Sequence, residues 1–142
     1  MSEAAWRDLE RVYAELDAEL VKLGPVCRRS GACCRFARSG HELWTTSLEY
    51  EYLRARTGLA KASREQIERG TCPFLEGGRC GVREHRMLGC RVYFCDPRYE
   101  PHMAGVYEKF HTRVKDVLRR HGLPYSYFRF LDRVREDPAF TS

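Results

Sequence analysis

Seven cysteines carry most of the chemistry this chain could perform: Cys27, Cys33, Cys34, Cys72, Cys80, Cys90 and Cys95, all between positions 27 and 95. Their number is odd, and no C-x-x-C pair occurs among them. That missing spacing argues against zinc fingers, zinc ribbons and thioredoxin-like redox chemistry. Thiolates brought together from distant loops suit two other centres. An iron–sulfur cluster takes four cysteine thiolates and tolerates ligands from separate loops. Zinc also accepts an all-sulfur tetrahedral site. Seven thiols would supply one such site with three to spare. Two zinc ions would need a shared thiolate or a histidine, for which His41 and His85 are available. A single cysteine, such as Cys95 or one of the adjacent pair, also suits a small buried hydrophobic position. A catalytic thiol would need a histidine partner, and the spacing singles out no Cys–His pair.

Charge follows the cysteines. The chain carries 25 Lys and Arg against 20 Asp and Glu, for a net +5, but the excess is uneven. Residues 1–20 hold two arginines and six acids, whereas residues 21–40 hold five bases and no acid. Arg28, Arg29, Arg35, Arg79, Arg83 and Arg91 each lie within three residues of a cysteine. A guanidinium beside a thiol favours the thiolate that binds metal, and would offset the negative charge of a four-thiolate centre. The plainer alternative is a set of solvated arginines. With a pI near 8.9 and no recognised motif, a nucleic-acid partner is not expected. The sequence has no Gly-rich phosphate loop, no paired catalytic carboxylates at recognisable spacing and no serine-nucleophile motif. It therefore assigns no reaction class and leaves open whether the protein is an enzyme.

The elements that must position these thiols read as mainly helical. Ala5, Leu9, Val12, Leu16, Leu20 and Leu23 form one apolar stripe, predicting a helix over about 4–23 that stops at Gly24-Pro25. Residues 25–45 show no clean period and read as a loop that wraps something. Thr46 and Glu49 form a capping-box signature for a short helix ending before Gly58, and Ser63 with Gln66 repeats it. CPFLEGGRC at 72–80 reads as two extended pieces around Gly77-Gly78, a short β-hairpin that would bring Cys72 near Cys80. Residues 81–100 look irregular. Pro101 suits the start of a second long helix over about 101–121, with Met103, Val106, Phe110, Val114 and Val117 on one face. The tail YSYFRFLDRVRED fits a strand or a helix, and helix is the preferred reading. No linker or repeat divides residues 1–142, so one domain is expected.

No apolar run approaches the roughly 20 residues a membrane helix needs. The acidic first twenty residues do not resemble a signal peptide, so a cytoplasmic location is expected. Seven thiols in a reducing compartment are better explained by metal than by disulfides.

The chain also resembles a known family, the CxxCxxCC cysteine-cluster proteins, YkgJ-like zinc- or iron-chelating domains. CRRSGACC at 27–34 matches that family's first motif, with Ser30 in place of its second cysteine. CPFLEGGRC at 72–80 matches its middle segment, and VREHRMLGCRVYF at 82–94 is similar to its last, with Met87 and Phe94 where proline is frequent. The match covers about 25–95, half of the chain. The resemblance implies chelation by Cys27, Cys33, Cys34, Cys72, Cys80 and Cys90. Cys95, just beyond the last block, is the residue that could replace the cysteine missing at Ser30. It further implies a small metalloprotein holding one [4Fe–4S] cluster, with Cys34, Cys72, Cys80 and Cys90 as the first choice of ligands. The role would be redox or cluster-supported, with an unknown protein or redox partner. The alternative is a structural zinc-binding module for protein interaction. The expected architecture is two long helices framing a loop-rich, cysteine-bearing metal centre.

Overall fold

The computed structural model describes residues 1–25, 42–58, 63–76, 79–94 and 96–138. The first cysteine block, with Cys27, Cys33, Cys34 and His41, lies outside the described residues, as do Cys95 and the hairpin tip Gly77-Gly78. Helix α1 spans Glu3–Leu23, opened by the Ser2 hydroxyl, which accepts from the Ala5 N–H, and closed by Gly24. Gly24 sits at φ 66°, a left-handed conformation that a residue with a Cβ adopts at a cost. The predicted stripe is buried up to Leu20, with Trp6 and Tyr13 added beside it, whereas Leu23 faces solvent.

The other long helix, α5, spans Glu100–Arg120, with Pro101 in its first turn, and packs along α1. Ion pairs join Lys109 to Glu19, Arg113 to Glu15 and His121 to Asp8. As numbers rise on one helix they fall on the other, so the two run antiparallel. Each exposed pair contributes little alone. Most of the joint's stability comes from apolar burial, with Leu9, Leu16, Val114 and Val117 sealed from water.

Strand β1, Trp44–Thr46, leads directly into helix α2, Ser47–Thr57. The capping box is complete: the Thr46 hydroxyl accepts from the Glu49 N–H, and the Glu49 carboxylate accepts from the Thr46 N–H. Helix α2 is the wall between two hydrophobic clusters. Leu48 and Tyr52 face the α1–α5 layer, while Tyr50 and Leu53 face a second cluster holding Ile67, Phe74, Met87 and Phe130.

Around this second cluster lie helix α3 (Arg64–Glu68), strands β2 (Leu75–Glu76) and β3 (Arg79–Cys80), a short 3-10 turn (Arg83–His85) and helix α4 (Leu88–Arg91). Strands β2 and β3 pair antiparallel, Leu75 opposite Cys80. Gly81 closes the hairpin; its N–H donates to the Phe74 carbonyl at 2.8 Å, and a Cβ there would stand 2.9 Å from that oxygen. Only half of the second capping box forms. Ser63 accepts from the Gln66 N–H, but the Gln66 amide donates to the Cys72 carbonyl at 2.6 Å instead of turning back.

Three expectations need correction. Residues 81–100 contain the 3-10 turn and α4, because the buried residues Met87, Leu88 and Val92 fold a short turn into the core. The loop read over 25–45 ends in a strand. The tail divides: Tyr127–Arg129 is strand β4, and Phe130–Glu136 is helix α6. β4 pairs antiparallel with β1, Trp44 opposite Arg129, and this long-range partner decides the local ambiguity. Helix α6 is pinned where fully buried Asp137 accepts from the Tyr50 hydroxyl at 2.6 Å and from Arg54 Nε at 3.0 Å. Among the described residues, no helix is long and apolar enough to cross a membrane.

Candidate metal centre

The three described cysteines belong to one cluster. Cys72 and Cys90 are buried within the second hydrophobic cluster, and half-buried Cys80 packs against it; the α1–α5 layer contains none of the three. Cys72 follows α3, and its carbonyl is held by Gln66 and by the Leu75 N–H at 3.2 Å. Cys80 is fixed by its register opposite Leu75. Cys90 sits within the single turn of α4, its N–H donating to the Met87 carbonyl at 3.1 Å. No disulfide joins any two of these thiols.

Of the segments flanking the first cysteine block, the one that follows it meets this region. Leu43, which follows the block, is part of the same cluster as Cys72 and Cys90. A Cβ built on Gly89 would lie 2.5 Å from Leu43 Cδ1, so the turn bearing Cys90 is pressed against Leu43 as closely as a glycine permits. On the other side, Pro25 and Phe94 line one cleft of about 700 Å3 together with Arg83, Arg86 and Arg91. Pro25 lies two residues before Cys27, and Phe94 directly precedes Cys95.

Among the described residues, no group of three or more His, Cys, Asp or Glu side chains is arranged to hold a metal. Cys72, Cys80 and Cys90 therefore share a cluster without forming a closed site by themselves. The donors fit a soft, sulfur-ligated centre in kind, as thiols in an apolar setting. A complete ligand set would draw on Cys27, Cys33, Cys34 or Cys95.

His85 and Arg91 have other engagements. The Tyr52 hydroxyl donates to Glu10 at 2.7 Å and lies 3.2 Å from His85 Nδ1. With that hydroxyl proton committed to Glu10, the His85 contact requires Nδ1–H as its donor. Arg91 is buried; it donates to Asp17 at 3.0 Å and to the carbonyls of Glu84 and Arg86 at 2.7 Å, with its guanidinium 4.0 Å from the Tyr13 ring centre. These bonds tie α4 to α1, so Arg91 is not the solvated arginine of the plainer alternative.

Glu49 is the residue whose importance the sequence understates. Its carboxylate is buried between the two clusters and accepts from the Leu88 N–H at 2.7 Å, the Thr46 hydroxyl at 2.9 Å, the Thr46 N–H at 3.3 Å and the Tyr13 hydroxyl at 3.2 Å. Burial pushes the carboxyl above its usual range, opposed by these donors. Burial, then the adjacent carboxylate, drives the Tyr13 hydroxyl well above an ordinary phenol. One side chain thus joins α1, β1, α2 and the first residue of the turn that carries Cys90. The Thr46–Glu49 spacing reveals the cap, but nothing local announces the bonds to Tyr13 and Leu88.

No family model, curated protein or solved structure matches the chain.

Proposed function

We propose that this protein holds a sulfur-ligated metal centre, one [4Fe–4S] cluster, through Cys34, Cys72, Cys80 and Cys90, with Cys27, Cys33 and Cys95 as the remaining candidate ligands. The observation that carries the reading is the gathering of Cys72, Cys80 and Cys90, from three separate segments, into one apolar cluster that also receives Leu43. The resemblance of three sequence blocks to the cysteine-cluster motifs is a further reason for it, although no family model matches the chain. A bound cluster would supply one-electron redox capacity tuned by burial and hydrogen bonding. The chain's own part is to hold the thiols, with α4 fixed by Glu49 and Arg91 and the Cys72 carbonyl held by Gln66. We place it in the cytosol, where such thiols remain reduced, and assign it no reaction.

The test is anaerobic purification followed by iron, acid-labile sulfide and zinc analysis with a visible absorbance spectrum. Brown protein with iron and sulfide in equal amounts is expected, and Cys72→Ser or Cys90→Ser should lose both. Colourless protein with stoichiometric zinc would replace the cluster with a structural zinc module. Metal-free protein with every thiol reactive would overturn both.

A further inference from the structure

A second feature, lined by no cysteine, lies beside the β1–β4 pair. It is an open cleft of about 590 Å3 between that pair, α4 and the first half of α5. Its walls are aromatic: Trp44, Tyr93, Tyr107 and Tyr127. Register explains why two of them stand together. Trp44 pairs with Arg129, so Tyr127, two residues earlier on β4, is its diagonal neighbour on the same face. The rings stack at 5.5 Å between centres with planes 26° apart. His111 stacks on Tyr127 at 4.8 Å, and the Tyr107 and Tyr127 hydroxyls lie 2.6 Å apart. The wall is therefore fixed before any ligand arrives.

The charge is as distinctive as the rings. Although the chain is net +5, the cleft is lined by Glu42, Glu100 and Glu108 and by no lysine or arginine among the described residues. Glu42 accepts from Trp44 Nε1 at 3.4 Å and lies 3.6 Å from Arg129. Neither Glu100 nor Glu108 has a cationic partner among the described residues, and both are exposed on α5. Trp44 and Tyr127 leave more than a third of their surface open to solvent. Aromatic faces attract cations through their quadrupole, and nearby carboxylates add direct Coulomb attraction. A small inorganic cation would make little use of the rings, and a neutral apolar ligand would make none of the carboxylates.

We infer that this cleft binds an organic cation whose positive head carries alkyl groups, a quaternary ammonium compound, seated against the face of Trp44 turned away from Tyr127 and balanced by Glu108 and Glu100. Ring faces suit such a head because it has no N–H to satisfy and sheds its water readily. The site uses none of the seven cysteines, so its test stands whatever metal the protein holds.

The experiment is calorimetric titration of the protein as purified with choline and, in parallel, with its neutral isostere in which carbon replaces the ammonium nitrogen. Saturable choline binding is expected, with the isostere weaker by about tenfold, which corresponds to about 1.4 kcal/mol. Glu108→Gln, on an exposed helix face, and Trp44→Leu should each weaken choline by about three- to tenfold. Circular dichroism verifies that both variants remain folded, and if Trp44→Leu unfolds, Glu108→Gln alone decides. Equal affinity for choline and its isostere would overturn the inference, as would choline binding unchanged in Glu108→Gln or no binding at millimolar choline.

Discussion

Replacing Glu49 with alanine tests the joint between the two clusters. The substitution removes the acceptor for two buried backbone donors, the Leu88 and Thr46 N–H groups, whose bonds measure 2.7 and 3.3 Å. The hydroxyls of Tyr13 and Thr46 can turn elsewhere, but the backbone donors cannot. Each stranded N–H costs about 1–3 kcal/mol, so Glu49→Ala should destabilise the protein by about 4 kcal/mol. With a urea m-value of about 2 kcal/mol/M, the unfolding midpoint should fall by about 2 M. Glu49→Gln keeps the side chain's volume and one acceptor oxygen, and relieves the desolvated charge, so its cost should stay near 1 kcal/mol. Urea titrations followed by far-UV circular dichroism, with equal m-values verified, measure both. A midpoint shift below about 0.5 M for Glu49→Ala would refute the reasoning, as would equal losses for the two variants. The first outcome would mean water reaches the donors; the second would mean the carboxylate's charge outweighs its geometry.

Gly89→Ala should cost about 1–3 kcal/mol, because the new methyl meets Leu43 Cδ1 at 2.5 Å, and pairing it with Leu43→Ala should recover part of that loss in a thermal-melt double-mutant cycle. Strict additivity of the two substitutions would show that they do not touch. His111 gives a pH signature. Burial, then Lys115, holds its imidazole below the ordinary value of 6.5, so the unfolded chain takes up the proton first. Stability from this group is complete above 6.5 and declines as pH falls from there through the lower folded-state value. His111→Phe should flatten urea-midpoint profiles across that window, and parallel profiles for the two proteins would exclude the assignment.

Elements with strong local signals were legible in the sequence. The stripe from Ala5 to Leu20, the Gly24 stop, the Thr46–Glu49 box and the hairpin flanks at Leu75 and Cys80 all appear as read. What escaped depends on distant partners. Trp44–Thr46 and Tyr127–Arg129 are too short to show alternation, and each is a strand because the other lies beside it. The turn at Leu88–Arg91 contains a glycine and spans only four residues, so helical periodicity had nothing to register. Within the candidate centre, the hairpin that carries Cys80 was legible from CPFLEGGRC, whereas the shared cluster of Cys72 and Cys90 depends on contacts between distant segments. The bonds of Glu49 to Tyr13 and Leu88 link residues far apart in the chain, and no local pattern encodes them.

The division of the interior by α2 separates two sets of aromatic reporters. The long antiparallel pair supplies most of the peptide signal and holds Trp6, Tyr13 and Tyr99 in its own cluster, whereas Tyr50, Phe74 and Phe130 share the other with Cys72 and Cys90. Oxidation of those thiols would loosen the second cluster first and leave the paired helices wound. A sample damaged by air would therefore keep its far-ultraviolet signal and the fine structure owed to Trp6, and lose the part owed to Tyr50 and its phenylalanine neighbours.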